Sequence, residues 1–482
     1  MNWIKTQNNT VININEIPTL HIDVLRHEIM NEYRHNKRAI GFFGVKNRLF
    51  TVLADDFNSQ ILVSSAKFFE IKSYSSLTPD IPAFSMFERE FFEEFNIEPA
   101  GHPWLKPVRK IENYNFLKSD DEEVHEVAVG PIHAGIIEPG HFRFLCRGEF
   151  VENLEIQLGY QHRNIESLFL QRNKPLIHLA ESVAGDTVIG HATAYCNALE
   201  ALTNTNIPEK SQIIRAIALE MERIAVHIGD LGAVSNDIAY LMGTSVFGAT
   251  RTLVINTLLE ICGSRFARGL IRPGGVAFDI DQNLSDKIYS MLDSILTTVE
   301  IIIDSMFSSS SVLSRLDKTG IVSKETAHEI GLVGMAARAS GVPLDIRADH
   351  PWGSYKTLNF EKIVMKSGDV YARTYIRYIE IKQSAQIIRD LLAKLPENAD
   401  LLTQISKPLS PNSMVISLTE GWRGEIVHTV LTDEQGNISR YKIKDPSFNN
   451  WNGLALAVKG NGISDFPLCN KSFNLSYCGN DL

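Results

Sequence analysis

Residues 179–199 read LAESVAGDTVIGHATAYCNAL. An apolar segment runs into a turn of Ala184, Gly185, Asp186 and Thr187, and a helix of small residues carrying His191 runs out. The first turn of a helix leaves backbone N–H groups without intrahelical acceptors, so such a turn suits an anion or a buried ligand. The same text also fits an ordinary Gly-Asp loop in front of a core helix.

From Leu158 onward the helical pattern around this stretch dominates. Pro208 sits where a first-turn proline belongs. The helix after it places Ile214, Ile217, Met221, Ile224 and Ile228 on one face. Arg223 and His227 lie one turn apart on another face, with Asp230 a turn beyond, and buried charges on a core helix must be paired. Two loops interrupt the helices: RPGGV at 272–276 and ARASGVPLDIR at 337–347. The second alternates cations with small residues and an acid, as a polar cavity wall does. The last part turns strand-like at Ser413–Leu418, Gly424–Leu431 and Ser439–Ile443.

Upstream, 19–35 reads as an amphipathic helix with Ile22, Leu25, Ile29 and Tyr33 on one face. Residues 39–45 and 48–54 read as a hairpin across Lys46-Asn47, with Asn47 supplying the positive φ of a tight turn, and 60–64 as a third strand. FEREFFEEF at 87–95 interleaves acids and aromatics at helical spacing: a surface helix with its Phe face on the sheet, or a docking surface for a partner subunit. KSDDEE at 118–123 is a solvated charge run. After it come short strands and tight turns carrying His133 and His141, each a candidate ligand or proton carrier. The reading is an α+β protein. A small N-terminal α+β domain spans 1–117 and a linker 118–125. A large, mainly helical domain spans 126–482, with peripheral strands at its start and its C-terminus.

The 482-residue chain is long enough for a large core. Its net charge of -10, with no basic run, argues against a nucleic-acid partner. No stretch approaches the roughly 18 apolar residues of a membrane span, and the N-terminus lacks a signal-peptide core. Cys146, Cys196, Cys262, Cys469 and Cys478 form no C-x-x-C pair, which fits a reduced protein without a cysteine-held metal or Fe–S cluster.

Several motifs in fixed order resemble one family. FEREFFEEFNIEPAGHP resembles the hydrophilic complex I subunit of roughly 30 kDa. VHEVAVGPIHAGIIEPGHFRF, GYQHRNIESL, MERIAVHIGDLGAVSND, RPGGV, ARASGVPLDIR and GWRGEIVHTVLTDEQGNISRYKIKDP resemble the large subunit of energy-converting [NiFe] hydrogenases and the 49-kDa-like subunit of complex I. The two parts in one chain look like the formate-hydrogenlyase type. In such hydrogenases two C-x-x-C pairs hold nickel and iron, the first followed by a histidine. Here those positions hold Ala184 and Thr187, with His191 kept, and then Ser447 and Asn450. Nickel–iron chemistry needs soft thiolates, so no metal is expected. The chain continues for 32 residues past Asn450, as the quinone-reacting subunit of complex I does, but has no tyrosine between Ala180 and Thr187.

The resemblance implies a peripheral subunit of a membrane-bound, complex I-like redox assembly on the cytoplasmic face of the inner membrane. It would pair with a small Fe–S subunit and antiporter-like membrane subunits, and a quinone is the implied acceptor. His133, His141, Asp186 and His191 are the implied proton-handling residues, with Asp186 and His191 as an acid–base pair. Arg163, Arg338 and Arg347 would stabilise developing negative charge. A non-catalytic scaffold and an active hydrogenase are the alternatives. Side chains between Ala184 and Ser447 distinguish them: large apolar fillers favour the scaffold, an open chamber lined by His, Asp and Arg favours a ligand site.

Overall fold

The computed structural model describes residues 2–69, 71–109, 114–170, 176–405 and 407–482; residues 110–113, at the end of the expected first domain, lie outside them. The strands that shape the molecule are β1 (Ile4–Thr6), β2 (Val11–Asn13), β3 (Arg38–Val45), β4 (Arg48–Asp55), β5 (Gln60–Lys67), β6 (Val124–Val129), β7 (His141–Arg147), β8 (Phe150–Gln157), β9 (Ser413–Glu420), β10 (Glu425–Thr432) and β11 (Ile438–Lys444). The principal helices are α1 (Ile22–Arg34), α2 (Ser85–Phe95), α3 (Val188–Leu202), α4 (Glu209–Asp237), α5 (Leu241–Cys262), α6 (Gln282–Ser308), α7 (Val370–Leu392) and α8 (Pro446–Val458). This is the α+β architecture the sequence predicts.

The first sheet runs β1-β5-β4-β3, with the two-residue strand Thr19–Leu20 parallel to β5. Its hairpin closes between Val45 and Arg48. The positive φ falls on Lys46 (+55°), not on Asn47 as the sequence suggested. A two-residue turn with only its first central residue at positive φ follows the II′ pattern, which leaves Asn47 in an ordinary region. Helix α1 buries Ile22, Leu25 and Ile29 on this sheet.

Helix α2 is not a surface helix. Phe87 and Phe91 are buried beside Phe42, Phe68, Tyr74 and Phe84. Its acid face meets this chain's own C-terminal strand: Lys442 donates to Glu90 at 2.7 Å and Arg440 to Glu94 at 2.5 Å. Phe87 also packs on Phe448, with ring centroids 5.2 Å apart.

The C-terminal sheet runs β11-β10-β9-β2, so a strand from the chain's start completes it. Strands β9 and β10 are buried along their whole length, and a sheet covered on both faces loses the polar/apolar alternation of a half-exposed one. One apolar cluster joins Ile40, Phe43, Phe50 and Val63 of the first sheet to Met414, Ile416, Val427 and Leu431 of the last. Arg38 bridges the same two sheets through Asp56 (2.7 Å) and the fully buried Glu425 (2.5 Å). Lys444 completes the cross-connection to Glu425 at 2.7 Å.

The helical body is built on α4, whose 29 residues span roughly 44 Å. Helices α5 and α7 pack along it, and its apolar stripe of Ile214, Ile217, Met221, Ile224 and Ile228 is buried. Among the described residues no single helix is long and apolar enough to cross a membrane; α6 with Ser310–Leu316 qualifies only as a pair bent by 84°.

Removing Arg38 takes from the buried Glu425 one of its two cationic partners, leaving Lys444 alone, and breaks the ion pair to Asp56. Arg38→Ala is therefore expected to cost about 3 kcal/mol. Arg147→Ala, which removes three surface ion pairs to Asp121, Glu123 and Glu152, should cost far less, because solvent screens exposed pairs. Chemical denaturation checks both, and equal losses would contradict the bridging role of Arg38.

Candidate functional site

The turn at 184–187 closes on itself, with the Thr187 N–H donating to the Ala184 carbonyl at 3.0 Å. Asp186 does not reach His191. It is held instead by the turn between β9 and β10: both Arg423 Nη atoms donate to its carboxylate at 2.6 Å, and Trp422 Nε1 donates to its backbone carbonyl at 2.9 Å. Arg423 lies 3.9 Å over the Trp422 ring. A bidentate guanidinium–carboxylate pair fixes orientation as well as distance. The expected Asp186–His191 pair is thus replaced by Asp186–Arg423, because Arg423 outcompetes a histidine that already has two partners.

Those partners define a buried chain of four side chains. Tyr441 Oη lies 2.7 Å from His428 Nδ1, His428 Nε2 lies 3.0 Å from His191 Nδ1, and His191 Nε2 lies 3.1 Å from Asp445 Oδ2. Burial and the neighbouring His191 push His428 well below its ordinary value, so it is neutral. Burial pushes Tyr441 well above its own, so its hydroxyl keeps the proton. Burial opposes ionisation of Asp445, but His191 and the nearby Arg423 outweigh it and hold the carboxyl below its usual range. With Asp445 ionised, His191 Nε2–H donates to its carboxylate, and the neutral His428 has a single ring N–H to place toward either Tyr441 or His191. Sequence reading supplied His191 alone.

The four positions that hold metal in the resembled hydrogenases are engaged by the protein itself. Ala184 is fully buried and offers no ligand atom. The Thr187 hydroxyl sits 3.2 Å from both Asp186 and Arg423. Ser447 Oγ accepts from the Ser476 N–H at 2.8 Å. Asn450 accepts from the Val333 N–H (3.0 Å) and donates to its carbonyl (3.1 Å). These groups lack thiolates and are already satisfied, so they do not fit a nickel–iron centre. The side chains at these four positions are small or polar, and none is a large apolar filler.

The free N–H groups at the start of α3 do find an anion-type partner, from inside the chain. Glu222 of α4 accepts from Ile189 N at 2.8 Å and Gly190 N at 3.3 Å. Burial pushes its carboxyl up to about 8 despite these bonds, with the Asp186 charge adding to the effect. Glu222 and Asp186 share a narrow cleft of about 30 Å³ whose other walls include Val188, Ile255, Leu258 and Phe266.

Behind this lies a buried charge cluster. Arg338 donates to Glu380 (2.5 Å) and Glu420 (2.8 Å). Arg347 meets Asp345 (2.7 Å) and Glu220 (3.1 Å), and Arg223 meets Glu220 at 3.2 Å. His227 lies 2.7 Å from Glu380 and is neutral, its value lowered by burial. Guanidiniums Arg223, Arg338 and Arg347 therefore face four carboxylates, Glu220, Asp345, Glu380 and Glu420. One acid carries the surplus proton most readily: Glu420, pushed up to about 7 by burial and by Asp345. Arg338 and Arg347 are thus committed to internal partners rather than held free for a substrate. Arg223 ties the cluster to the site, donating to the backbone carbonyls of Glu420 (2.8 Å) and Gly421 (3.1 Å).

The 421–424 turn itself is held by backbone contact. Gly424 (φ +139°) and Gly334 (φ +64°) press together so closely that a Cβ on Gly334 would lie 2.2 Å from the Gly424 Cα, and one on Gly424 2.6 Å from the Gly334 Cα.

The remaining expected residues stand apart. His133 is exposed, its Nδ1 accepting from the Gly135 N–H at 2.9 Å. His141 is buried at the start of β7, bonded to the Gly130 carbonyl at 3.1 Å and packed on Phe116. Arg163 is exposed and donates to the Val183 carbonyl at 3.1 Å.

Comparison with known proteins now supplies the family. The family described as "Respiratory-chain NADH dehydrogenase, 49 Kd subunit" matches residues 237–408 and 400–481. Formate hydrogenlyase subunit 5 of Escherichia coli is 28% identical over 438 residues, covering 85% of this chain and 77% of that protein. Carbon monoxide-induced hydrogenase of Rhodospirillum rubrum is 30% identical over 346 residues, covering 71% of this chain and 95% of its own length. An NADH-quinone oxidoreductase subunit of Clostridium beijerinckii is 30% identical over 356 residues, covering 72% and 95%. The chain is a hydrogenase-related, complex I-like subunit, and it belongs to the family of the 49-kDa subunit of respiratory-chain NADH dehydrogenase.

Proposed function

We propose that this chain is the peripheral large subunit of a membrane-bound, complex I-like oxidoreductase that reduces a quinone without a nickel–iron centre. A small Fe–S partner subunit delivers the electrons, and antiporter-like membrane subunits use the reaction to move ions. The complex stands on the cytoplasmic face of the inner membrane. The N-terminal unit at 1–117 is the counterpart of the 30-kDa complex I subunit. Formate hydrogenlyase subunit 5 matches a larger share of this chain (85%) than the NADH-quinone oxidoreductase subunit does (72%), which supports that assignment.

The observation that carries the reading is the pairing of an apolar cleft with groups that hold protons. Quinone reduction takes two electrons and two protons and breaks no bond that a metal must polarise. In the cleft Glu222 holds a proton at neutral pH, and Asp186 and Arg423 stand beside it. The ring enters against Val188, Ile255 and Leu258 as the half-exposed Phe266 at the mouth moves aside. Glu222 donates one proton to the developing quinol oxygen. Solvent reprotonates Glu222 for the second transfer, while the His191-bound Asp445 and Asp186 hold Arg423 between them beside the cleft. His133 and His141 remain outside this route.

A scaffold is the second reading. It is favoured by the closure of all four former ligand positions through bonds within the chain.

One rate measurement separates these readings, and two further measurements test the site itself. The dithionite-reduced complex should reduce a short-chain ubiquinone, and His191→Ala and Glu222→Gln should each slow this roughly hundredfold; unchanged rates in both variants would leave only the scaffold. Elemental analysis of the purified complex should return iron and no nickel. Glu222 also makes a stability prediction. Its folded-state value is raised from 4.5 to about 8, so its contribution is fully present below pH 4.5 and lost as pH rises through about 8. Wild-type stability should fall across that window by an amount on the order of a few kcal/mol, and Glu222→Gln should flatten the fall. Denaturant midpoints between pH 5 and 8 decide this.

A further inference from the structure

Helices α4 and α5 are joined by residues 238–240 alone and so run antiparallel. Glu222, Val226 and Gly229 form a row on α4, and Arg251, Ile255 and Leu258 form a row on α5, each at the spacing of a single helix face. All but Gly229 line the cleft that holds Glu222 and Asp186. Gly229 is where the rows press closest: a Cβ there would lie 3.0 Å from Arg251 Cδ and 3.2 Å from its Nε. The glycine thus lets the Arg251 side chain lie across α4.

Glu222 and Gly229 are two helical turns apart, roughly 10 Å along the axis. The cleft therefore has an acid toward one end and the Arg251 guanidinium toward the other, with Val188, Val226, Ile255 and Leu258 between them. Arg251 also lines a roomier groove of about 320 Å³ that runs on between the same two helices.

The other buried charges here are committed. Asp186 is taken by Arg423, and Glu222 accepts two backbone N–H groups. Arg251 is half-buried, yet among the described residues no carboxylate, carbonyl or hydroxyl accepts from it. Its guanidinium nitrogens stay reachable from solvent. Arg265 also lacks a partner, but it is exposed and water serves it. A cation drawn partly out of water that makes no bond within the chain is suited to a ligand oxygen. The two oxygens of a para-quinone lie on opposite edges of its ring, which matches the polarity of this cleft.

We propose that Arg251 is a second catalytic residue of the cleft, holding the quinone oxygen opposite the one that Glu222 protonates; this rests on the quinone reading above. The first electron from the Fe–S partner adds to the ring and makes an anion whose charge both oxygens share. Arg251 stabilises that charge at the far oxygen and keeps its own proton. Glu222 then protonates the near oxygen, and the second electron and proton complete the quinol.

Reduction of short-chain ubiquinone by the dithionite-reduced complex, with kcat and KM separated, tests this. Arg251→Leu should lower kcat about a hundredfold and change KM less than about threefold, because the charge it meets arises only during the reaction. Arg251→Lys, which keeps a charge, should retain about a tenth of the wild-type kcat or more. Gly229→Ala sets a methyl against the Arg251 stem and displaces the guanidinium. Alanine suits a helix interior better than glycine, so its denaturation midpoint should hold or rise while kcat falls several-fold, a split that a purely structural Arg251 would not produce. A wild-type complex that leaves ubiquinone unreduced defeats the quinone reading and this role together. An active wild type with unchanged kcat in Arg251→Leu, or with Arg251→Lys as slow as Arg251→Leu, overturns the role of Arg251 alone. Should Arg251→Leu fail to fold, unchanged kcat in Gly229→Ala overturns it instead.

Discussion

Burying a guanidinium costs several kcal/mol unless carboxylates and carbonyls replace its water on every side. This chain buries Arg223, Arg338 and Arg347 in one place. Their partners come from α4 (Glu220), from α7 (Glu380), from the end of β9 (Glu420) and from the loop carrying Asp345. None of these elements can leave without stranding charge, so the cluster fixes four distant parts of the chain at once. The 421–424 turn inherits its position from Arg223 and passes it to the 184–187 loop through Trp422 and Arg423. The site geometry is therefore downstream of an ionic constraint that touches no candidate substrate.

That arrangement explains what could be read from the sequence and what could not. Local period revealed α1, the hairpin and the α4 stripe, because Ile22, Leu25 and Ile29 or Ile217, Met221 and Ile224 lie within a few turns of one another. The departure at Ala184, Thr187, Ser447 and Asn450 was visible for the same reason: it is a change of residue type at fixed spacing. The partners of Asp186 and His191 were not visible, because Arg423 and Asp445 lie 237 and 254 residues away. Charge alone allowed Asp186 to pair with His191, five positions on, and only the third dimension brings Arg423 closer. A weak signal did exist for His428, a single imidazole between Val427 and Val430 in a strand that after Glu425 is otherwise apolar or threonine. Glu222 gave none, since an acid beside Arg223 reads as half of an ion pair rather than as the cap of another helix.

The acidic aromatic helix shows the opposite error. Its composition suited a surface, yet Glu90 and Glu94 face Lys442 and Arg440 of the same chain. A docking face can be satisfied within the chain when a second unit offers matching charge, and the Arg38–Glu425 contact does the same a short way off. The two sheets consequently share a core as well as ion pairs.

The mutual contact of Gly334 and Gly424 has an evolutionary corollary. Each occupies a backbone region that side chains avoid, and each owes its lack of a side chain to the other's backbone. No single substitution at either position escapes both penalties, and replacing both together adds a clash to a clash. The pair should therefore behave as one inherited unit under drift. A lineage that changes the residues at 184, 187, 447 or 450 would still be bound to this junction, so the backbone frame around them is the more conservative part of the design.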